Sequence, residues 1–158
     1  MRASVERRAS EIAVPELGDQ SLVLAGVNDF EQMCVQCHGA PGKEPGAVGK
    51  GLNPPPPDLA ESAKEMSAAE LFWVTRHGIR MTGMPAWGST HSDDALWPVV
   101  ALMTALPELD SGAYEDLLGR AEGMGHHAGD APARGHDRER QGTEQSEEAE
   151  HDHSTHEH

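Results

Sequence analysis

The sequence predicts an all-α domain of ordinary size followed by a polar C-terminal segment. Three observations carry this prediction: apolar residues recur at helical spacing, capping residues precede the strongest of these segments, and no alternating run predicts a strand. The 158 residues suffice for one domain with tails. Only 37% of them are hydrophobic and 4% are aromatic, so side chains alone supply a thin core. We therefore expect something other than side chains to fill part of the interior.

Composition excludes several classes of protein. The chain has 12 Lys and Arg against 27 Asp and Glu, a formal net charge of −15, so it lacks the surplus cations that bind a phosphate backbone. It contains no run of 18 apolar residues, and its first 25 residues hold no apolar segment of the signal-peptide type. Two cysteines cannot form a disulfide framework, so their position matters more than their number.

Four segments are predicted along the chain. Residues 1–22 are charged and are interpreted as a lead-in, residues 23–107 as the main domain, and residues 108–122 as a short extra helix. Residues 123–158 are predicted to be a disordered tail rich in His and acidic residues. Such a segment cannot bury enough apolar surface to offset the entropy of ordering its chain.

The first predicted helix leads into the two cysteines. Asn28 or Asp29 is expected to cap it, and it runs through Phe30 and Met33. The next stretch, residues 39–57, is rich in Gly and Pro and ends in four consecutive prolines. Four prolines favour an extended path and exclude a helix at that point.

Later helices carry clearer boundary signals. Ser67 and Glu70 form a predicted capping box, and Gly78 is expected to end that helix. Ser92 begins a helix that reaches about Leu106 and contains Pro98. Residues 79–91 between these helices are predicted to be a loop. A final amphipathic helix over residues 111–122 places apolar side chains at helical spacing, namely Tyr114, Leu117, Leu118 and Ala121.

Residues 34–38 read CVQCH, the C-x-x-C-H spacing that is typical of covalent c-type haem attachment. On one helical turn Cys34 and Cys37 share a face, so each thiol can form a thioether to one haem vinyl group. The next residue, His38, then presents an imidazole to the iron. A thioredoxin-like pair would need a βαβ setting, and a structural zinc site would need further ligands at close spacing; the sequence shows neither.

A second axial ligand is expected from the loop over residues 79–91. Met84 precedes a proline there and can present its thioether to the iron, which raises the reduction potential relative to harder ligand pairs. Met81 and His77 are rival ligands, and a bis-His site would lower the potential. Met33, Met66 and Met103 are interpreted as packing residues.

These motifs together resemble a known family. CVQCHGAPG, PPPPDL, LFWVTRHGIRMTGMPAWG and DDALWPVVALMTALP are similar to the corresponding segments of small bacterial class I cytochromes c with a single haem, over about residues 23–107 plus the short helix to 122. The resemblance implies three to five short helices wrapped around one covalently bound haem. It is strongest to cytochromes tethered to the inner membrane, so we expect an anchor or export signal upstream of the first residue.

The resemblance also implies roles for individual residues. Cys34 and Cys37 would carry the thioethers, with His38 and Met84 as axial ligands. The carbonyl of Pro57 would accept the Nδ1–H of His38, although Pro57 could also serve only to stiffen its loop. Trp87 would pack on the haem edge or be an ordinary core residue. The N- and C-terminal helices would cross, with a contact between Phe30 and Trp97 and a close approach at Gly26.

The function predicted from these features is electron transfer rather than catalysis. With both axial positions filled by protein, the iron changes only its oxidation state. The expected partners are redox proteins at the periplasmic or outer face of the inner membrane, either a membrane oxidoreductase or oxidase or a periplasmic enzyme. Residues 23–107 hold five basic and nine acidic residues, which favours a partner with a basic face.

Two alternatives stay open at this point. Loss of the Met84 ligand would open the iron to peroxidase-like chemistry, which would need His77 or His91 nearby. The tail offers imidazoles that suit Cu(II), Ni(II) or Zn(II), while a merely solvated tail explains the same composition. These imidazoles belong to His126, His127, His151, His153, His156 and His158.

Overall fold

The computed structural model describes residues 2–122, and within them it confirms the all-α class. The predicted tail and its histidines lie outside these residues. The helices in chain order are α1 (Arg2–Ala9), α2 (Gln20–Phe30), α3 (Gln36–His38), α4 (Ala47–Gly51), α5 (Leu59–Glu65), α6 (Ala68–His77), α7 (Asp93–Ala105) and α8 (Ser111–Arg120). A π-helical turn (Glu31–Val35) joins α2 to α3, and 3₁₀ turns occupy Trp87–Ser89 and Leu106–Glu108.

The core is built around the crossing of α2 and α7. Val27 and Phe30 on α2 and Val99 on α7 are fully buried. Gly26 lies against the α7 backbone, where a Cβ atom built on it would stand 2.1 Å from the carbonyl oxygen of Pro98. The predicted close approach at Gly26 is therefore present, and no side chain fits at this position.

The start of α2 differs from the sequence prediction. Asp19, not Asn28 or Asp29, is the N-cap, and its carboxylate accepts the backbone N–H of Ser21 at 2.8 Å. Asp29 is buried in the last turn of the helix. The prediction of a cap at residues 28 and 29 was wrong because the helical apolar repeat already begins upstream, at Leu22.

The boundaries of α6 and α7 follow the predicted signals. The capping box of α6 is confirmed, with the Ser67 side chain accepting from the Glu70 N–H and the Glu70 side chain accepting from the Ser67 N–H. Gly78 ends α6 with a φ of +64°, and Ser92 caps α7. These caps satisfy backbone groups that the helix ends leave without an intrahelical partner.

Residues 2–122 contain more helices than the three to five predicted around the haem. Two of the additional ones, α4 and α5, flank the proline segment, which is itself not helical. Asp58 caps α5, and its carboxylate accepts the backbone N–H groups of Ala60 and Glu61. The short helix α4 packs through Gly49 against the backbone of Cys37, so its position depends on a long-range contact.

Helix α1 lies within the segment predicted to be a lead-in. Its apolar residues Val5 and Ala9 are buried, and the helix packs against α6. At its N-terminal end the Arg2 guanidinium forms an ion pair with the Glu65 carboxylate at 3.3 Å. At the other end the Arg8 guanidinium lies 5.7 Å from the centre of the Trp73 ring. The N-terminal segment is thus part of the packed structure.

Helix α8 packs on α2 and on the π-helical turn that contains Cys34. The Tyr114 ring is fully buried, lies edge-on to Phe30 at 6.3 Å between ring centres, and donates its hydroxyl hydrogen to Glu31 at 3.0 Å. Lys43 forms an ion pair with the same carboxylate at 2.6 Å. The ring that packs edge-on to Phe30 is therefore that of Tyr114.

Trp97 of α7, predicted to contact Phe30, stacks its ring on an aromatic residue of α6. Its ring stacks on Phe72 of α6, with the ring centres 4.0 Å apart. This contact joins α7 to α6.

Candidate haem site

A cavity of about 420 Å³ lies between the cysteine motif, α5, α6 and the loop that follows α6. Its volume is within the usual range for a small-molecule or cofactor site. Most of its wall is apolar, supplied by side chains that include Leu52, Leu71 and Val74. The residues of CVQCH and the loop residue Met84 both reach this wall, so the fold brings together segments that are 46 positions apart in sequence.

The two cysteines reach the cavity from the π-helical turn and α3. Both are free thiols, with Cys34 buried and Cys37 partly exposed. Burial, followed by the repulsion of Cys37, raises the pKa of the Cys34 thiol from 9.0 to about 12. The site therefore disfavours a thiolate at equilibrium and suits the uncharged sulfur of a thioether.

The His38 ring is oriented by a backbone carbonyl. Its Nδ1 lies 2.8 Å from the oxygen of Pro57. A carbonyl oxygen can only accept, so Nδ1 carries the hydrogen and Nε2 keeps a lone pair for a metal. The next residue, Asp58, caps α5, so the Pro57 carbonyl directly precedes the start of that helix. His38 and Pro57 both line the cavity.

The loop after α6 folds back on the end of that helix. The backbone N–H of Ile79 donates to the Met84 carbonyl at 3.2 Å, and the Met84 N–H donates to the hydroxyl of Thr82 at 3.2 Å. A Cβ on Gly78 would stand 2.7 Å from the Met84 carbonyl oxygen, so glycine is needed there both for space and for its positive φ. These contacts hold Met84 at the cavity wall.

The rival ligands are placed differently. Met81 is fully exposed and adopts a φ of +63°. The His77 ring packs 4.8 Å from the Trp73 ring, outside the cavity wall. Burial, then the nearby Arg76 charge, lowers the His77 pKa below its usual value. Among the predicted second ligands, only Met84 reaches the cavity in residues 2–122.

Trp87 and three other methionines complete the apolar wall. Trp87 lines the cavity and stands edge-on to His91, with ring centres 5.5 Å apart. His91 is buried beside this ring and is not part of the wall that the structure describes. Three methionines predicted to be packing residues also lie on the wall, namely Met33, Met66 and Met103.

Two helices that contribute to the wall, α1 and α5, were not predicted from the sequence. Arg2 and Val5 reach the cavity from α1, and Ser62 and Glu65 reach it from α5. The Val5–Ala9 spacing is a weak helical signal in a charged segment, and only the packing against α6 shows that it matters. No three His, Cys, Asp or Glu side chains within residues 2–122 cluster as a separate metal site.

The residues present fit a haem. The wall is apolar enough for a flat porphyrin, the paired sulfurs suit its vinyl groups, and an imidazole and a thioether suit its iron. An all-α shell with such a site defines a c-type cytochrome. Residues 21–103 match the family model described as cytochrome C oxidase, cbb3-type, subunit III, and this match spans more than half of the chain. The chain belongs to this family; a comparison with curated proteins found no significant match.

Several predictions are confirmed by this membership. The protein is a c-type cytochrome that carries covalently bound haem c with its iron, and the family's general function is haem-based electron transfer. The family is one of electron carriers, and its cytochrome c domain suggests a location outside the cytoplasm. Of the helices formed by residues 2–122, none has both the length and the apolar character that crossing a bilayer requires.

Proposed function

We propose that the chain is a single-haem electron carrier with His38 and Met84 as the axial ligands and thioethers at Cys34 and Cys37. One observation carries this proposal: all four side chains line the same apolar cavity. The bond from His38 to the Pro57 carbonyl supports it, because that bond leaves Nε2 as the free ligand atom.

When bound, the haem supplies a one-electron couple between Fe(III) and Fe(II). The residues of the chain set how easily this couple is reduced. A methionine thioether raises the reduction potential relative to a second imidazole, and the apolar wall raises it further by keeping water away from the added positive charge of the ferric state. Trp87 contributes to this water exclusion from the side of the Met84 loop. With two protein ligands the site stays closed to substrates.

Electron exchange is proposed to take place on the face formed by α4 and the Met84 loop. Gly49 of α4 packs on the Cys37 backbone, and Leu52 just after α4 packs on Gly83 of the loop. Two apolar side chains are exposed on these same elements, Val48 and Met81. The proposed partner is a redox protein of the outer face of the inner membrane or the periplasm, with a terminal oxidase of the family's named type as the first candidate. Its docking face is expected to be basic.

The ligand assignment is tested by a matched pair of variants, Met84→Ala and Met81→Ala. Wild type should show a six-coordinate, low-spin spectrum with the weak sulfur-to-iron charge-transfer band of the ferric state. Met84→Ala should lose this band and have a lower reduction potential. Met81→Ala should keep both, since its side chain lies in solvent. Loss of the band in Met81→Ala alone would refute the assignment.

Attachment is tested separately. After denaturation, wild-type chain from a host that matures c-type cytochromes should retain its haem, and a pyridine haemochrome spectrum should report two saturated vinyl groups. Cys34→Ala and Cys37→Ala should each show the spectrum of one remaining vinyl group. Complete release of haem from denatured wild type would contradict the proposed thioethers.

A further inference from the structure

Helix α1 forms part of the haem cavity although it lies outside the matched family region. The match begins at residue 21, whereas Arg2 and Val5 line the cavity from the N-terminal side. Val5 and Ala9 are buried, so the helix is held by apolar packing. This packing places Arg2 on the cavity wall, with its side chain 64% exposed.

The charges on the cavity wall are unbalanced. Glu65 and Glu70 are its carboxylates, and Arg2 is the only lysine or arginine among the wall residues that the structure describes. Glu70 is already engaged by the Ser67 N–H in the capping box, and Glu65 is paired with Arg2. Haem brings two further carboxylates, its propionates, which need charge-assisted hydrogen bonds where they meet a wall of low polarity.

We propose that the Arg2 guanidinium binds a haem propionate, so that α1 is a haem-contacting element of this chain. The inference rests on the haem site proposed above. A guanidinium has five N–H donors, so Arg2 can bridge Glu65 and a propionate together. Arg2 donates to both the carboxylate and the backbone carbonyl of Glu65, and these two bonds leave further N–H donors of the guanidinium for a propionate.

This contact has an electrostatic consequence. The charged groups that face Arg2 are Glu65 from α5 and Glu70 from α6, and Glu6 lies one turn further along α1. A fixed positive charge beside the propionate favours the ferrous state and keeps the propionate ionised. Without it, reduction is coupled to protonation: the iron takes one electron from the electrode mediator, and the propionate takes one proton from solvent.

The test compares Arg2→Gln with Arg7→Gln in the full haem-loaded chain. Both variants remove one positive charge from α1, but Arg7 is exposed and does not line the cavity. The reduction potential is measured by spectroelectrochemistry from about pH 5 to about pH 8. Arg2→Gln should lower the potential and make it fall as pH rises, whereas Arg7→Gln should follow wild type. Arg2→Lys should recover part of the lost reduction potential, because lysine keeps the positive charge but lacks the planar set of N–H donors of the guanidinium.

The outcomes separate this inference from the proposed function. Equal potentials and equal pH profiles in Arg2→Gln and Arg7→Gln would overturn the propionate contact while the low-spin, covalently bound haem remained. Absence of covalent haem in wild type would overturn the proposed function as well. A melting curve and far-UV circular dichroism accompany each variant; a potential shift in Arg2→Gln that appears only together with loss of helix would count against a direct contact.

Discussion

Replacing Gly26 with alanine should force α2 and α7 apart. The added Cβ would stand 2.1 Å from the Pro98 carbonyl oxygen and 2.9 Å from the Val99 nitrogen, and both are backbone atoms that no rotamer change can move. An acceptable carbon–oxygen contact requires the helices to separate by about 1 Å, in a core that packs as densely as a crystal. Overpacking of this kind costs about 1–3 kcal/mol, which exceeds the gain of roughly 0.5–1 kcal/mol in helix propensity.

The measurement is chemical and thermal unfolding of the haem-loaded protein. We expect Gly26→Ala to lower the free energy of unfolding by about 2 kcal/mol, with a fall in Tm of roughly 2–8 °C for each kcal/mol. Gly119→Ala is the matched control: it is also a helical glycine, and no atom lies within 4 Å of the position that its Cβ would take. This control should raise stability by about 0.5 kcal/mol. Equal stability of the two variants would refute the close-packed crossing.

Four further predictions concern other parts of the fold. Ser67→Ala should lower the free energy of unfolding, measured with urea at neutral pH, by about 1 kcal/mol. The Ser67 N–H and hydroxyl hold the Glu70 pKa below its usual 4.5. The stability due to this carboxylate is therefore present above pH 4.5 and is lost as the pH falls through the lowered pKa. The loss of unfolding free energy caused by Glu70→Gln should shrink over that range, and a loss that does not change with pH would contradict the assignment. Tyr114→Phe should lower the free energy of unfolding by about 1 kcal/mol, because Glu31 loses one hydrogen bond but keeps its ion pair with Lys43. An unchanged denaturation midpoint would show that this hydrogen bond does not stabilise the protein. Chain produced without haem maturation should lack most of the helical signal in far-UV circular dichroism, since the cavity then has no filler; a fully helical spectrum would contradict this.

Local signals in the sequence were sufficient for part of the fold. Ser67, Gly78 and Ser92 mark helix ends through hydrogen bonds and dihedral angles that involve only neighbouring residues, and all three boundaries were predicted correctly. The CVQCH motif is likewise local, because the residues that attach the haem lie within five consecutive positions of the sequence. The proposed second ligand was harder to predict, because three side chains near residue 80 offered plausible ligands and only in the folded loop does one of them, Met84, reach the cavity wall.

The features that were missed depend on long-range packing. Helix α1 is short and charged, and the burial of its residues Val5 and Ala9 depends on packing against α6. The short helix α4 is fixed by the contact of Gly49 with the Cys37 backbone. The pairing of Phe30 with Tyr114 joins residues that are 84 positions apart in sequence. Periodicity in a single segment carries no information about such partners.

The π-helical turn between α2 and α3 makes the length of this region critical. It follows Phe30, which is buried in the core, and it contains Cys34, which lines the cavity. Each residue of a helix turns the chain by about 100°, so deleting a single residue from this turn would rotate the whole attachment motif by that angle relative to α7. These five residues therefore set the rotation of the haem-attachment motif relative to the helices of the core.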